Sequence, residues 1–182
     1  MLSTKQLVHV GFFTALIVVF AIVPPIPLPI VPVPITLQTL GVMLAGLVLG
    51  PRLAALALAL YVVLALVGLP VLPGGRSGLA VLAGPTGGFL LGFIPGAWAV
   101  GSIARHQNPN WTPAKRIALG FFASVVGGLL VVYAIGIPWL AMVTGMDIWK
   151  ATLAVAVFVP GDLIKALLAA IVAVRLNQLR SS

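Results

Sequence analysis

Apolar residues run through this chain in long, nearly unbroken stretches, with the polar ones gathered between them. Six stretches can be bounded: Leu7–Val23, Thr36–Leu49, Leu53–Leu69, Thr86–Ala104, Arg116–Ile137 and Asp162–Leu176. Apolar runs approaching the length of a bilayer crossing read as membrane helices. Two of the six fall well short of the ~20 residues a crossing needs, which predicts irregular or tucked-in ends there. Gly50-Pro51-Arg52 separates the second from the third. No repeat of solenoid length is visible, and no attached soluble domain is expected. The pattern predicts an all-α membrane protein, a single domain over residues 1–182 built as a bundle of six transmembrane helices.

Composition agrees. The chain is 62% hydrophobic and its mean hydropathy is +1.25, more apolar residue than a soluble domain can bury. The net charge of +8 does not point to nucleic acid, because charged residues are only 7% of the chain and are scattered rather than clustered on one face. They act instead as orientation signals. With the N-terminus inside, Lys5, Arg52, Arg105, Lys115, Arg116, Arg175 and Arg180 fall on the cytoplasmic side, Arg76 and Lys150 fall outside, and Lys165 lies within the membrane. Both termini are therefore expected in the cytoplasm, in a multi-pass protein of the cell membrane. The run after Lys5 is too long for a signal-peptide core and leads into prolines, so it reads as the first helix.

Four segments carry candidate chemistry. The first is Asp162 with Lys165, three positions apart and so on one helix face. Charges at bilayer depth are costly and usually face an interior cavity, and the chain has only two acidic residues. Asp162 lies 13 residues before Arg175, about 20 Å above the inner interface, and Lys165 about 15 Å above it. A pocket holding both should open outward. Pro160-Gly161 should break the preceding run and start a new helix, putting Asp162 in a first turn where free N–H groups favour an anion. It either caps that helix, neutralised by Lys165, or forms a ligand site.

The second is Leu72-Pro-Gly-Gly-Arg-Ser-Gly-Leu79, leading into Gly84-Pro-Thr-Gly-Gly-Phe89. Gly84, Gly88, Gly92 and Gly96 recur every fourth residue, a stripe that suits close helix packing. The helix start at Thr86-Gly87, with Arg76 nearby, could instead hold an anionic group. The third is Pro24–Pro34, with six prolines and no charge. It should run as extended, polyproline-like backbone and act as a lid, with Pro27, Pro29 and Pro32 at its centre. The fourth is a pair of small-residue patterns, Gly11–Ala15 and Gly120–Ser124 continued to Gly128. Internal packing is the default reading, and a docking surface the alternative.

Other chemistries find no support. Cysteine is absent, which excludes disulfides and thiol nucleophiles. His9 and His106 belong near the cytoplasmic side, so neither a metal set nor a Ser/His/Asp set converges. No phosphate-loop motif is present.

With these segments in view, the chain resembles the BioY family, the biotin-binding S components of energy-coupling factor transporters. The resemblance rests on Pro34-Ile-Thr-Leu-Gln-Thr-Leu-Gly41, on the glycine loop followed by Gly84-Pro-Thr-Gly-Gly-Phe89, and on Pro160-Gly-Asp-Leu-Ile-Lys165. One departure is Gly75-Arg76-Ser77-Gly78, where the family loop is usually richer in glycine. The resemblance implies biotin capture from outside, docking to a membrane coupling subunit and two cytoplasmic ATPases, and no enzymatic step or cofactor. It maps docking onto Gly11 and Ala15 and a gate onto Pro24–Pro34. Asp162 can accept the ureido N–H pair of biotin while Lys165 donates to its carbonyl; the opposite pose sets Lys165 against the tail carboxylate. Gln38, Thr86, Arg76 and the backbone around Gly87 are candidates for the remaining polar contacts. An S component for another vitamin, an intramembrane acid–base enzyme and a structural subunit with a register-fixing ion pair are the competing readings.

Overall fold

The structure, a computed structural model, describes residues 2–29, 31–108 and 110–181. Ile30, inside the proline run, lies outside the described residues, as does the side chain of Arg180.

The chain is mostly helical. Helix α1 (Thr4–Ile22) opens with a capping box, Ser3 accepting from the Gln6 N–H while the Gln6 side chain accepts from the Ser3 N–H. The proline run after α1 corrects the polyproline expectation. Its backbone is extended, but it folds back as an antiparallel hairpin of β1 (Ile26–Leu28) and β2 (Val31–Ile35). The paired positions, Ile26 with Ile35 and Leu28 with Val31, are all non-proline. Prolines lack the N–H a ladder needs, and here they occupy the positions between.

Helices α2 (Gln38–Leu49) and α3 (Pro51–Leu66) are joined by Gly50 alone. Its φ of +76° makes a reversal that other residues resist, and Pro51 then starts α3 with its preset φ. At 12 and 16 residues these helices are about 18 and 24 Å long, short of a full hydrocarbon core. Residues 67–86 form a glycine-rich loop with two short 3-10 turns. Helix α4 (Gly87–Ala104) comes next.

The fifth apolar stretch is longer than its hydropathy suggested. Helix α5 (Pro113–Ser124), a π-helical stretch (Val125–Val131) and α6 (Val132–Thr144) run on as one apolar rod of 32 residues. Helix α7 (Ile148–Ala156), capped by Asp147, meets α8 (Val159–Ser181) at a 53° bend. The break falls just before Pro160, which occupies the first turn of α8. By length and composition, α1, α4 and the α5–α6 rod can each cross a membrane, and the bent α7–α8 pair can make a fourth crossing.

Glycines set the helix spacing. A Cβ on Gly92 or Gly96 would meet α6 or the π-helical stretch, one on Gly88 would meet Trp139, one on Gly120 would meet Ala170, and one on Gly128 would meet Met43. The stripe on α4 and the pattern on α5 are therefore internal packing. The exception is α1: Gly11 and Ala15 are exposed, and nothing lies within 4 Å of a Cβ at Gly11. Large apolar side chains such as Phe12, Trp98, Phe122 and Leu130 also face outward, as suits a protein surrounded by lipid.

Candidate functional site

The starts of α2, α4 and α8 gather at one end of the bundle, under the end of the hairpin and beside the glycine loop. Between them lies a cavity with about 850 Å³ of empty space, its open mouth included, within the size range of small-molecule sites. Val33, Pro34 and Ile35 of β2 form one wall, and Phe89, Phe93 and Phe158 supply an aromatic one. Phe89 stands edge-on to Tyr133, ring centres 6.3 Å apart.

Asp162 and Lys165 line this cavity and form an ion pair of 2.9 Å, their side chains only 4% and 11% exposed. The carboxylate is held by side chains. Oδ1 accepts from Lys165 and from the Thr39 hydroxyl (2.8 Å), and Oδ2 accepts from the Tyr133 hydroxyl at 2.6 Å. Asp162 stands in the first turn of α8, as expected, but the hydrogen bonds to its carboxylate come from these side chains, its own N–H donating to the Phe158 carbonyl. Pairing and hydrogen bonding are what make a buried charge tolerable. The Lys165 ammonium donates also to the Thr36 carbonyl (2.7 Å) and the Thr39 hydroxyl (3.2 Å).

From Thr36 a hydrogen-bonded chain crosses the site. The Thr36 hydroxyl donates to the Gln38 side-chain carbonyl (3.1 Å), the Gln38 amide donates to the Tyr61 hydroxyl (2.8 Å), and Tyr61 donates to the Val71 carbonyl (3.0 Å). Gln38 and Tyr61 are buried. The ion pair on α8 is thereby tied through α2 and α3 to the glycine loop. That loop is pinned at its other end by Trp139, whose indole N–H donates to the carbonyls of Leu82 and Gly84.

Of the residues the sequence singled out, Asp162, Lys165, Gln38, Thr86 and Arg76 line this one cavity. Arg76 is fixed by its own loop, its Nε donating to the Pro73 carbonyl. Gly87 is not on the wall: it packs under the Leu82 carbonyl, where a side chain would not fit. Pro27, Pro29 and Pro32 lie in the hairpin away from the lining, which is taken up by Val33-Pro34-Ile35. Thr39, Tyr61 and Tyr133 were missed by sequence reasoning. A signal existed: the chain has only two tyrosines, each inside an apolar run, and a buried Tyr hydroxyl needs a partner. Among the described residues no three His, Cys, Asp or Glu come together.

The BioY family model matches residues 1–182. The chain belongs to the BioY family. It is 46% identical to the biotin transporter BioY of Rhizobium etli over 171 residues, which cover 93% of this chain and 91% of that one. It is 43% identical to the biotin transporter BioY of Rhodobacter capsulatus, covering 98% of this chain and 96% of the relative. The fold matches the crystal structure of the S-component for biotin from an ECF-type ABC transporter with a TM-score of 0.87 and 31% identity, covering 98% of this chain and 95% of that one.

Proposed function

We propose that this protein captures biotin and serves as the substrate-binding S component of an ECF-type transporter. The observation that carries the reading is the cavity itself: largely apolar walls around one buried, hydrogen-bonded carboxylate–ammonium pair, in a BioY chain matched end to end. Biotin has complementary chemistry, with a ureido ring of two N–H donors and one carbonyl, an apolar sulfur ring and an acidic tail. A carboxylate offers about four lone-pair sites, and three are taken by Lys165, Thr39 and Tyr133. The remaining one can accept a ureido N–H. Lys165 already places three donations, so donating to the ureido carbonyl requires it to release one, the long bond to Thr39 being the weakest held. Arg76 at the wall suits the tail carboxylate.

In this reading the chain is a single membrane domain of six crossings, the short α2 and α3 included. Both termini are cytoplasmic and the cavity faces outward. The hairpin is the lid, and the exposed Gly11–Ala15 face of α1 docks the membrane coupling subunit, with two cytoplasmic ATPases supplying the energy. The chain carries out no chemical step and needs no cofactor. Equilibrium binding of biotin to the purified protein is the test.

A further inference from the structure

Helices α2, α4 and α8 begin around the biotin cavity and end around a second cleft at the far end of the bundle. This cleft, with about 610 Å³ of empty space at the surface, is lined by Arg105 at the end of α4, Gln107 in the following turn, Arg116 near the start of α5 and Asn177 on α8. Its floor is backbone: Gly50 and Gly101 approach so closely that a Cβ on Gly101 would meet the Gly50–Pro51 peptide. The Gln107 amide donates to the Arg116 carbonyl (3.0 Å), holding the start of α5 against the end of α4.

Two arginines thus line one cleft, and no acidic side chain is available to neutralise them. The chain has only two acidic residues. Asp162 is taken by Lys165, Thr39 and Tyr133, and Asp147 caps α7 through the N–H groups of Trp149 and Lys150. Among the described residues, Asp162–Lys165 is the one ion pair, and the Arg116 Nε is buried without a hydrogen-bond partner. Helix C-termini attract cations, which accounts for Arg105 at the end of α4. It does not account for Arg116, because the first turn of a helix favours negative charge, and α5 begins Pro113-Ala-Lys-Arg116 with no acid.

We infer that this cleft binds the phosphate of an acidic phospholipid. Guanidinium pairs recognise phosphate oxygens through paired N–H bonds, and basic clefts between membrane helices hold acidic headgroups. Two of the helices that line the cleft also carry exposed apolar side chains, Phe122 on α5 and Leu176 on α8, and Trp111 is exposed in the turn before α5. That surface suits acyl chains running along α5 and α8 with the headgroup in the cleft.

The test uses the full chain, released from phosphatidylglycerol or phosphatidylcholine nanodiscs and weighed by native mass spectrometry, beside Arg105→Gln, Arg116→Gln and the double variant. A second arm measures melting in detergent with added inorganic phosphate. The expected result is one retained phosphatidylglycerol per protein, held at least tenfold better than phosphatidylcholine. Retention should drop about threefold in Arg105→Gln, whose exposed side chain makes misfolding no concern, and disappear in the double variant, with biotin affinity unchanged throughout. A charge-keeping Arg116→Lys variant should retain the lipid better than Arg116→Gln but less well than the natural protein, because an ammonium keeps the charge without the paired N–H bonds. Equal retention of both lipids, or phosphatidylglycerol retention that survives the double substitution, overturns the inference. Arginine-dependent stabilisation by inorganic phosphate without any lipid preference overturns the lipid as the source and gives the cleft to free phosphate.

Discussion

The Tyr133 hydroxyl donates to the Asp162 carboxylate at 2.6 Å across 29 residues of sequence, joining the α5–α6 rod to α8 at the point where the ligand is expected. Hydrogen bonds to buried charges contribute about 1.5–3 kcal/mol. Tyr133→Phe should therefore lower stability by about that amount in a denaturation series, and weaken biotin binding by roughly tenfold, about 1.4 kcal/mol. Unchanged affinity would mean that Tyr133 serves folding alone.

Buried pairs lose most when one partner goes, because the other is left as an uncompensated charge; the cost is typically about 3–5 kcal/mol. Lys165→Met and Asp162→Asn should each destabilise the protein, and the double variant should recover much of the loss while still failing to bind biotin. Recovery of both stability and binding would reduce the pair to a register-fixing device. Melting and biotin titration on the same three preparations separate these outcomes.

Tyr61 is hydrogen-bonded to the site through Gln38 and to the glycine loop through Val71. Tyr61→Phe accepts nothing from Gln38 and donates nothing to the half-buried Val71 carbonyl, leaving the buried Gln38 amide unpaired at about 1–3 kcal/mol. Amide hydrogen exchange should rise in residues 67–86, and biotin should leave faster while its association rate holds. A variant whose loop exchanges like the natural protein's would show that the chain of hydrogen bonds does not anchor the loop.

The hairpin is held by non-proline pairs and stiffened by the prolines between them. Replacing Pro32 and Pro34 with glycine restores backbone freedom and should speed biotin release at least fivefold, read by stopped flow. Release at the natural rate would count against a lid.

The apolar segmentation of the sequence carried most of the helical architecture, because long runs without charge leave few alternatives. The ion pair was legible for the same reason: charge is conspicuous in so apolar a chain. Tyr133 was not. The π-helical stretch Val125–Val131 shifts the helical phase just upstream of it, so a face extrapolated from α5 at 3.6 residues per turn misplaces the residues of α6. Thr39 and Tyr61 escaped because their roles depend on where α8 and the glycine loop come to lie, which no local pattern encodes. The hairpin was hidden because six prolines suggest a strand-free segment until the register that spares their missing N–H groups is seen. Gly87 looked like a ligand-facing backbone, whereas its smallness serves the packing under Leu82.

Gly11 has open space where a side chain would project, so Gly11→Leu should fold and bind biotin like the natural protein. Co-purification with the membrane coupling subunit should be lost if that face is the docking surface. Intact co-purification would move docking elsewhere.

The most direct measurement is calorimetric titration of the purified protein with biotin, desthiobiotin and a biotin analogue O-alkylated at the ureido group, run beside Asp162→Asn. A site that hydrogen-bonds a ureido N–H rejects an analogue lacking it far more strongly than one missing apolar contacts. Tight binding of biotin and desthiobiotin, no detectable binding of the alkylated analogue, and loss of binding in a folded Asp162→Asn variant are the predicted results. No binding of biotin by the natural protein, or equal binding of all three ligands, would contradict the account.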